Sequence, residues 1–296
     1  MRALVIIPTY NEAENIIKML HRVREALPQG EVLVVDDASP DGTGDLVDAE
    51  MKTDNSIHLI RRSGKSGLGS AYRAGFRWGI QNGYEACIEM DADFSHDPNT
   101  LPRFIELLDA GNELVIGSRY VKGGEIPNWS RHRFLLSRGG NIYASTMLGL
   151  HVADSTAGFR AYSVKLLERL DLDKVRAEGY GFQIEMTYHA KRAGARIVET
   201  PISFVDRVVG ESKMSSAIVI EALGLVTWWW ALRLLEAFAS LLKRDSKSKF
   251  VHPEVRDAPG LHRDAPGLHR DTPGLHRDTP GLHQEVPPSE VEPTER

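Results

Sequence analysis

Short apolar segments and amphipathic segments alternate along the first 118 residues of the chain. Buried strands are predicted at residues 4–7, 32–35, 57–60, 86–88 and 113–118. Helical spacing of apolar residues predicts helices at about 13–27, 70–82 and 101–110, and a further helix is predicted at about 135–150. Such alternation is typical of an α/β fold, in which a mostly parallel, doubly wound sheet is flanked by helices.

Polar segments follow several of these predicted strands. They are residues 8–12, Asp36 with Asp37, residues 91–93, and Arg119. Because parallel strands carry their carboxyl ends at one edge of a sheet, and ligands of such folds bind there, these four segments predict one common binding site.

The pair Asp91 and Asp93 is the clearest indication of chemistry. Alternate residues of a strand point to the same side, so two carboxylates are expected at one spot just past the fourth strand. Hard cations such as Mg²⁺ or Mn²⁺ prefer carboxylate oxygens together with substrate phosphates. The pair therefore predicts a divalent metal that holds a diphosphate, and the alternative is an ordinary acidic turn before Pro98.

Charge and cysteine content argue against two classes of protein, those that bind nucleic acids and those held together by disulfides. The formal net charge of −5 offers no basic field for a nucleic-acid partner. The single cysteine, Cys87, excludes an intramolecular disulfide framework and favours a reducing compartment. Its position within an apolar run predicts that it is a core residue.

The C-terminal part of the chain is organised differently. Residues 217–243 read as one long helix whose densest apolar stretch is too short to cross a bilayer. Trp228, Trp229 and Trp230 and the lysines that follow favour a helix at a membrane surface, assigned to residues 216–245. A helix packed on the domain or on a partner is the alternative.

Residues 250–296 are predicted to form a disordered tail. From Arg256 a seven-residue unit, R-D-A/T-P-G-L-H, occurs four times. The Pro-Gly pair in each unit is incompatible with a coiled coil. The four histidines of the repeat are candidate metal ligands, although a solvated tail is the expected state.

Taken together, these segments resemble the dolichol- and polyprenol-phosphate mannose synthases, which are family 2 glycosyltransferases with a GT-A fold. The matching motifs are PTYNE (8–12), VVDDASPDGT (34–43), GLGSAY (67–72), MDADFSHDP (90–98), GSRY (117–120), LSRGGN (136–141), AGFRAY (157–162), YGFQIEM (180–186) and PISFVDRVVGESK (201–213). They define a catalytic domain at residues 1–215 and leave the tail outside the resemblance.

The resemblance implies inverting transfer of mannose from GDP-mannose to a polyprenyl or dolichyl monophosphate, at the cytoplasmic face of a membrane. It implies Asp91 and Asp93 as metal ligands, Asp93 and Arg119 as catalytic residues, and Arg133 and Ser137 as the acceptor-phosphate site. The implied donor-binding residues are Pro8, Tyr10, Glu12, Val35, Asp37, Asp91, Ala92, Asp93, Arg119, Arg207 and Lys213. Ser95 stands where some members have a metal-contacting glutamine. A small membrane subunit or a homo-oligomer is a further implied partner.

The chemistry of the implied reaction agrees with these residue types. Departure of GDP builds negative charge, which a divalent ion and Arg or Lys donors stabilise. The nucleophile is a phosphate monoester that is largely dianionic at pH 7, because its second pKa is about 6. Such a nucleophile needs no general base, which is consistent with a sequence that offers no evident catalytic His or Glu.

Other functions remain open on the sequence. A related transferase could use UDP-glucose or another nucleotide sugar. A phosphatase with Asp91 as nucleophile is a rival, although its motif is expected on the first strand. A dinucleotide-binding oxidoreductase lacks its glycine motif after strand one, where Pro8 stands. A scaffold that binds nucleotide sugar without catalysis is the non-enzymatic alternative.

Overall fold

The computed structural model describes residues 1–127, 129–205, 223–232 and 234–235. The described strands are β1 (Ala3–Thr9), β2 (Glu31–Asp36), β3 (Ile57–Arg61), β4 (Ala86–Glu89), β5 (Leu114–Ser118), β6 (Arg160–Ser163) and β7 (Ile197–Pro201). The helices are α1 (Ile16–Ala26), α2 (Thr43–Glu50), α3 (Leu68–Gln81), α4 (Leu101–Asp109), α5 (Arg131–Leu148), α6 (Val164–Arg169) and α7 (Gly179–Arg192).

The seven strands form one sheet in the order β3-β2-β1-β4-β6-β5-β7. Four of the neighbouring pairs are parallel, whereas β6 runs antiparallel to both β4 and β5. The sheet is therefore mostly parallel and flanked by helices, which confirms the predicted α/β class. The chain passes from β1 to β2 and β3 on one side and then to β4 on the other, so the strand order reverses beside β1.

Period-two alternation along the strands builds a core on each face of the sheet. In β1, Leu4 and Ile6 pack on one face while Val5 and Ile7 pack on the other. One face is covered by α3, α5, α6 and α7, and the opposite face by α1, α2 and α4. Both faces are buried, which explains why the strands read as continuous apolar runs. Cys87 lies in this core and is fully buried, as predicted.

Helix α5 begins earlier than the sequence pattern predicts. The Ser130 hydroxyl accepts a hydrogen bond from the backbone N–H of Arg133 and caps the helix, which therefore starts at Arg131 instead of residue 135. Gly149, with φ of 64°, ends it. As a result, Arg133 and Ser137 both lie inside the helix.

The long helix predicted at residues 217–243 falls mainly outside the described residues. Residues 223–232 and 234–235 are helical, and we refer to them as the C-terminal helical segment. The tail at residues 250–296 and its repeats lie outside the described residues. No helix within the described ranges is both long and apolar enough to span a bilayer.

Candidate active site

The carboxyl edge of the sheet gathers loops from distant parts of the chain. Strands β1, β2, β4, β5 and β7 all end there, and β6 begins there because it runs the opposite way. The predicted convergence of residues 8–12, 36–37, 91–93 and 119 is thus matched by the topology. The antiparallel β6 adds a fifth loop, residues 153–159, which the sequence analysis did not assign to the site.

Side chains tie the loop after β1 to the loop after β2. The backbone N–H of Asn11 donates to Ser39 Oγ, that of Glu12 to Thr43 Oγ1, and that of Ala13 to Asp41 Oδ2, each at 3.0 Å. These bonds satisfy N–H groups just before α1, where no backbone acceptor is available within a helix. The PTYNE loop is consequently held in one conformation.

Asp37 organises the basic, glycine-rich loop between β3 and α3. Its Oδ1 atom lies 2.9 Å from Arg62 Nη1, and its Oδ2 atom accepts from the backbone N–H of Ser66 at 3.0 Å. Both oxygens of this buried carboxylate therefore hold residues 62–66 against the end of β2. Asp37 is placed at the predicted nucleotide side, and its visible role is to shape the loop there.

The half-buried Tyr10 and the exposed Lys65 form a pair on the same side. The ammonium group of Lys65 lies 4.2 Å from the centre of the Tyr10 ring, a cation–π distance. The side chain of Val35 points into the core, so only its backbone is available to a nucleotide. Pro8 pairs with Val35 across the two strands.

A carboxylate from a distant helix caps the start of α3. Glu178 accepts hydrogen bonds from the N–H groups of Gly69 at 2.7 Å and Ser70 at 3.1 Å. It also forms an ion pair with Arg73 at 3.4 Å. Because Glu178 directly precedes α7, this cap joins the basic loop to the far half of the sheet. A Cβ at Gly67 would displace the Glu178 carboxylate from this position, and the φ of +93° at Gly67 also favours glycine.

The loop with Asp91 and Asp93 differs from the prediction in one respect. Strand β4 ends at Glu89, so the two aspartates lie in a bend and strand alternation does not fix their directions. Asp93 is buried and accepts from the backbone N–H of Ser95 at 3.0 Å. Asp91 is half-buried, and Tyr72 Oη donates to its Oδ1 at 3.4 Å.

His96 supports this loop from below. Its Nδ1 accepts from the backbone N–H of Asp91 at 3.4 Å, and its ring stacks on Phe159 with centroids 4.9 Å apart. Tyr72, also beneath the loop, is fully buried, and burial raises its pKa well above the usual value, with the nearby Asp91 charge adding to the effect. Both aromatic rings are positioning elements that the sequence analysis did not identify.

The oxygen ligands that this loop offers fit a divalent cation. Asp91 and Asp93 supply carboxylate oxygens, which Mg²⁺ and Mn²⁺ prefer, and such ions commonly complete their shell with substrate phosphates and water. Within the described residues, no group of three or more His, Cys, Asp or Glu side chains is arranged to hold a metal. The two aspartates are therefore the candidate protein ligands, with the remaining positions left for the substrate.

A buried polar cluster lies beneath the same loop. Glu89 accepts from Gln183 Nε2 at 2.7 Å, and the fully buried Arg160 donates to Gln183 O and Thr187 Oγ1. Burial raises the pKa of Glu89 from 4.5 to about 8, against the lowering effects of Arg160 and Gln183. Among the residues that the structure describes, Glu89 Oε1 has no hydrogen-bond partner, so ionising this carboxyl would be costly.

Arg119 forms a buried, two-point ion pair with Asp154. Its Nε and Nη2 atoms each lie 2.7 Å from one carboxylate oxygen, and Nη2 also donates to Thr156 Oγ1. Burial disfavours both charges, yet the attraction between them raises the pKa of Arg119 and lowers that of Asp154. These two nitrogen donors are engaged by Asp154, so contact of Arg119 with a donor phosphate stays a prediction.

The loop held by Arg119 is also bonded to α5. Asn141 Oδ1 accepts from Ser155 N at 2.7 Å and from Ser155 Oγ at 2.9 Å. On the other side, the Glu199 carboxylate accepts from the N–H groups of Ala153 and Asp154. The buried loop thereby fixes α5 to the ends of β5 and β7.

Arg133 and Ser137 share the inner side of α5. Ser137 Oγ accepts from Tyr120 Oη at 2.7 Å. The guanidinium of Arg133 lies 4.0 Å from the ring centre of Trp129, and Trp129 in turn meets Phe204 edge to face. The predicted acceptor residues are therefore brought together with an aromatic cluster that sequence reasoning missed. The sequence signal that could have indicated this cluster is the density of aromatic residues near the GSRY and PISF motifs.

Backbone strain marks the same edge of the sheet. Asn11, Ala38 and Phe94 have φ values of 60°, 56° and 62°, in the loops after β1, β2 and β4. Positive φ is uncommon for residues other than glycine, and such strain is often found at functional sites.

Of the remaining predicted site residues, Arg207 and Lys213 lie outside the described residues.

Comparisons with known proteins agree with this architecture. The model of the family described as glycosyl transferase family 2 matches residues 4–171, more than half of the chain. The chain is 53% identical over 229 residues to an undecaprenyl-phosphate mannosyltransferase of Micrococcus luteus, covering 77% of this chain and 94% of that protein. It is 49% identical over 229 residues to a polyprenol monophosphomannose synthase of Mycolicibacterium smegmatis, covering 77% and 86%.

Solved structures support the fold. Glucosyl-3-phosphoglycerate synthase from Mycobacterium tuberculosis superimposes with a TM-score of 0.57, covering 76% of this chain and 78% of that one, at 18% identity. At this identity the likeness concerns the fold alone. The sequence matches, together with the sheet and its carboxyl edge, lead to one conclusion: the chain belongs to glycosyl transferase family 2, among the polyprenyl-phosphate mannose synthases.

Proposed function

We propose that this enzyme transfers mannose from GDP-mannose to a polyprenyl monophosphate, of the undecaprenyl or dolichyl type, with inversion at the anomeric carbon. The observation that carries the proposal is the identity of 53% and 49% to two proteins named for mannosyl transfer to such lipids or for synthesis of their mannose phosphates.

The donor is proposed to bind between the loops after β1, β2 and β4. Tyr10, Glu12 and Asp37, with the strand ends at Pro8 and Val35, would receive the nucleotide. Asp91 and Asp93, with Ala92 between them, would hold Mg²⁺ or Mn²⁺ at the donor diphosphate. When bound, that ion would offset the charge that develops on the GDP leaving group. Arg207 and Lys213 are proposed as further phosphate contacts.

The acceptor is proposed to bind at α5. Arg133 offers a planar, two-pronged donor suited to a phosphate, and the Ser137 hydroxyl lies one turn further along the same side. Direct attack by the dianionic phosphate on the anomeric carbon forms the sugar–phosphate bond as the bond to GDP breaks. Arg119 is proposed to reach the donor phosphates as a catalytic residue, and its pair with Asp154 also holds the loop that is bonded to α5.

The test is transfer of radiolabelled sugar to polyprenyl phosphate with GDP-mannose and UDP-glucose as competing donors. GDP-mannose is expected to be strongly preferred, and the product of an α-linked donor should carry a β linkage by NMR. Equal or better use of UDP-glucose would contradict the donor assignment. An α-linked product would contradict inversion.

The enzyme is proposed to work on the cytoplasmic face of its membrane, where nucleotide sugars are made.

A further inference from the structure

The hydroxyl group of Ser137 has one proton left to donate. Ser137 is half-buried on the inner side of α5, whereas Leu135 and Ile142 on the outer side are exposed. Its Oγ atom accepts a hydrogen bond from Tyr120 Oη at 2.7 Å, and among the described residues it makes no other hydrogen bond. A serine hydroxyl can accept and donate at the same time. The bond from Tyr120 therefore leaves the donating capacity of Ser137 for a ligand.

The direction of this hydrogen bond follows from the chemistry of the two hydroxyl groups. A phenol is more acidic than an aliphatic hydroxyl and is the stronger donor of the pair. Burial raises the pKa of Tyr120, and Arg119 and the bond to Ser137 lower it only in part, so the phenol keeps its proton at neutral pH. Tyr120 consequently gives its proton to Ser137 Oγ, and the proton of Ser137 points away from Tyr120.

Tyr120 is held firmly enough to serve as a fixed donor. Its backbone N–H donates to Ser118 Oγ, at the end of β5, at 3.3 Å. Two guanidinium groups contact its ring, with the Cζ atoms of Arg119 and Arg138 at 5.3 Å and 5.0 Å from the ring centre. Both distances are typical of cation–π contacts. The hydroxyl group is thereby presented to α5 from a fixed point at the carboxyl edge of the sheet.

The loop after α5 anchors both of these guanidinium groups. Arg119 pairs with Asp154, and Arg138 Nη1 donates to the backbone oxygen of Ala153 at 3.2 Å. Arg138 is half-buried, and within the described part of the chain it forms no ion pair. Its charge is therefore not neutralised by a carboxylate, and an anionic ligand beside Ser137 would be attracted by it.

We propose that Tyr120 is a positioning residue for the lipid acceptor: its hydrogen bond to Ser137 directs the Ser137 proton at an oxygen of the acceptor phosphate. The inference deepens the proposed function, because it takes Ser137 as part of the acceptor site. A hydrogen bond from a hydroxyl to a charged phosphate oxygen is stronger than one between neutral groups. A hydroxyl that already accepts a hydrogen bond is also a better donor. No proton is transferred, and the phosphate remains the nucleophile.

The first test is the KM of the full-length enzyme for geranyl phosphate, a short isoprenyl monophosphate, at saturating GDP-mannose. Tyr120→Phe keeps the ring and its contacts with both arginines and removes only the hydroxyl group. It is expected to raise KM about fivefold with little change in kcat, because the lost interaction is made before the reaction begins. Ser137→Ala removes the donor itself and should raise KM about tenfold.

A double-mutant cycle separates this role from a merely structural one. If Tyr120 acts through the Ser137 hydroxyl, Tyr120→Phe/Ser137→Ala should have the same KM as Ser137→Ala alone. Effects that multiply would overturn the inference. The matched control is Tyr143→Phe, since Tyr143 also lies on α5 and its Oη atom is 2.9 Å from another hydroxyl, that of Thr227. Its KM should equal that of the unmodified enzyme, and a fivefold rise there would likewise overturn the inference.

Direct binding provides a measurement that does not depend on transfer. In isothermal titration with geranyl phosphate and no donor, the Kd values should follow the same order as KM, while the affinity for GDP-mannose stays unchanged in Tyr120→Phe. An unmodified Kd in Tyr120→Phe, or an equal loss of donor affinity, would overturn the inference even if mannose is transferred normally. Binding with the expected pattern of losses but no transfer from GDP-mannose would contradict the proposed function and support the role of Tyr120.

Discussion

At the scale of single residues, the sequence predicted where the acidic pair lies but not which partners the basic residues have. Asp91 and Asp93 follow a buried strand, and the structure places both at the expected edge of the sheet, while their role as metal ligands stays a prediction. The partners of Arg119 and Arg133 were beyond reach of the sequence. Asp154 lies 35 residues from Arg119, and a long-range pair of this kind depends on how the strands are ordered.

Asp93→Ala should abolish most transfer while the protein stays folded. The substitution removes a candidate metal ligand and one local hydrogen bond to Ser95. Loss of one ligand should raise the concentration of Mn²⁺ needed for half-maximal rate by at least about tenfold. The same loss of activity should follow chelation of the unmodified enzyme and be reversed by Mg²⁺ or Mn²⁺. Full activity in chelator would contradict the two-carboxylate site.

Trp129 should affect use of the acceptor and not binding of the donor. Stacking of Arg133 on the indole is worth about 1 kcal/mol, so Trp129→Leu should raise KM for the lipid phosphate roughly fivefold. Trp129→Phe keeps an aromatic face and should recover most of that loss. Arg133→Ala should show the larger effect of the same kind. Isothermal titration with GDP-mannose provides the control, and an equal loss of donor affinity would show that the division of roles is wrong.

Glu89 should make stability depend on pH in a direction unusual for a carboxyl group. Its pKa is raised to about 8 in the folded protein and is about 4.3 in the unfolded chain. Between these values the folded state binds the extra proton, so the free energy of unfolding should fall as pH rises. One proton limits the slope to about 1.4 kcal/mol per pH unit. Glu89→Gln should flatten the curve in urea titrations from about pH 5 to 8, and parallel curves would contradict the assignment.

At the scale of whole elements, apolar periodicity predicted the first five strands and most helices to within a few residues. It did so because both faces of the sheet are covered, and each strand therefore carries a continuous apolar run. The direction of β6 could not be predicted, since an antiparallel strand of four residues has the same pattern as a parallel one. The short helix α6, with Ser163 as its cap, was missed because six residues make fewer than two turns and show no repeating apolar spacing.

Glu178 should stabilise α3 from outside that helix. It satisfies two N–H groups of the first turn and places a negative charge at the positive end of the helix. Glu178→Ala is expected to lower the free energy of unfolding by about 1 to 2 kcal/mol. Glu178→Gln keeps one acceptor oxygen and should lose about half as much. Urea denaturation at neutral pH provides the measurement, and two variants as stable as the unmodified protein would contradict the cap.

At the scale of the whole molecule, the predicted α/β fold with a mostly parallel sheet is confirmed, and the position of the active site at its carboxyl edge stays a prediction. The division into a catalytic domain at 1–215, an interfacial helix at 216–245 and a tail at 250–296 stays a prediction, because most residues beyond 205 lie outside the described ranges. The two-sided character of α5 was not predicted, since exposure of Leu135 depends on which side of the helix meets the sheet.

Truncation of the chain should separate the tail from the membrane contact. Removal of residues after Phe250 is expected to leave vesicle binding and mannosyl transfer intact, because the repeats offer no apolar face. Removal after Ser216 deletes the C-terminal helical segment and should reduce vesicle binding severely. Transfer to long-chain lipid should then fall more than transfer to a short, soluble analogue. Unchanged pelleting of the shorter protein would show that this segment is a packed helix and not an anchor.

The position of β6 has a consequence for how the enzyme is made. In the described sheet, β5 pairs only with β6 and β7, so it has no partner among the strands that leave the ribosome before it. A nascent chain can assemble β1 to β4, but the outer edge of β4 stays open until residues 160–163 emerge. An open, apolar strand edge invites pairing with other chains. While residues 90–163 are being synthesised, this edge of β4 therefore lacks the strand that covers it in the folded protein.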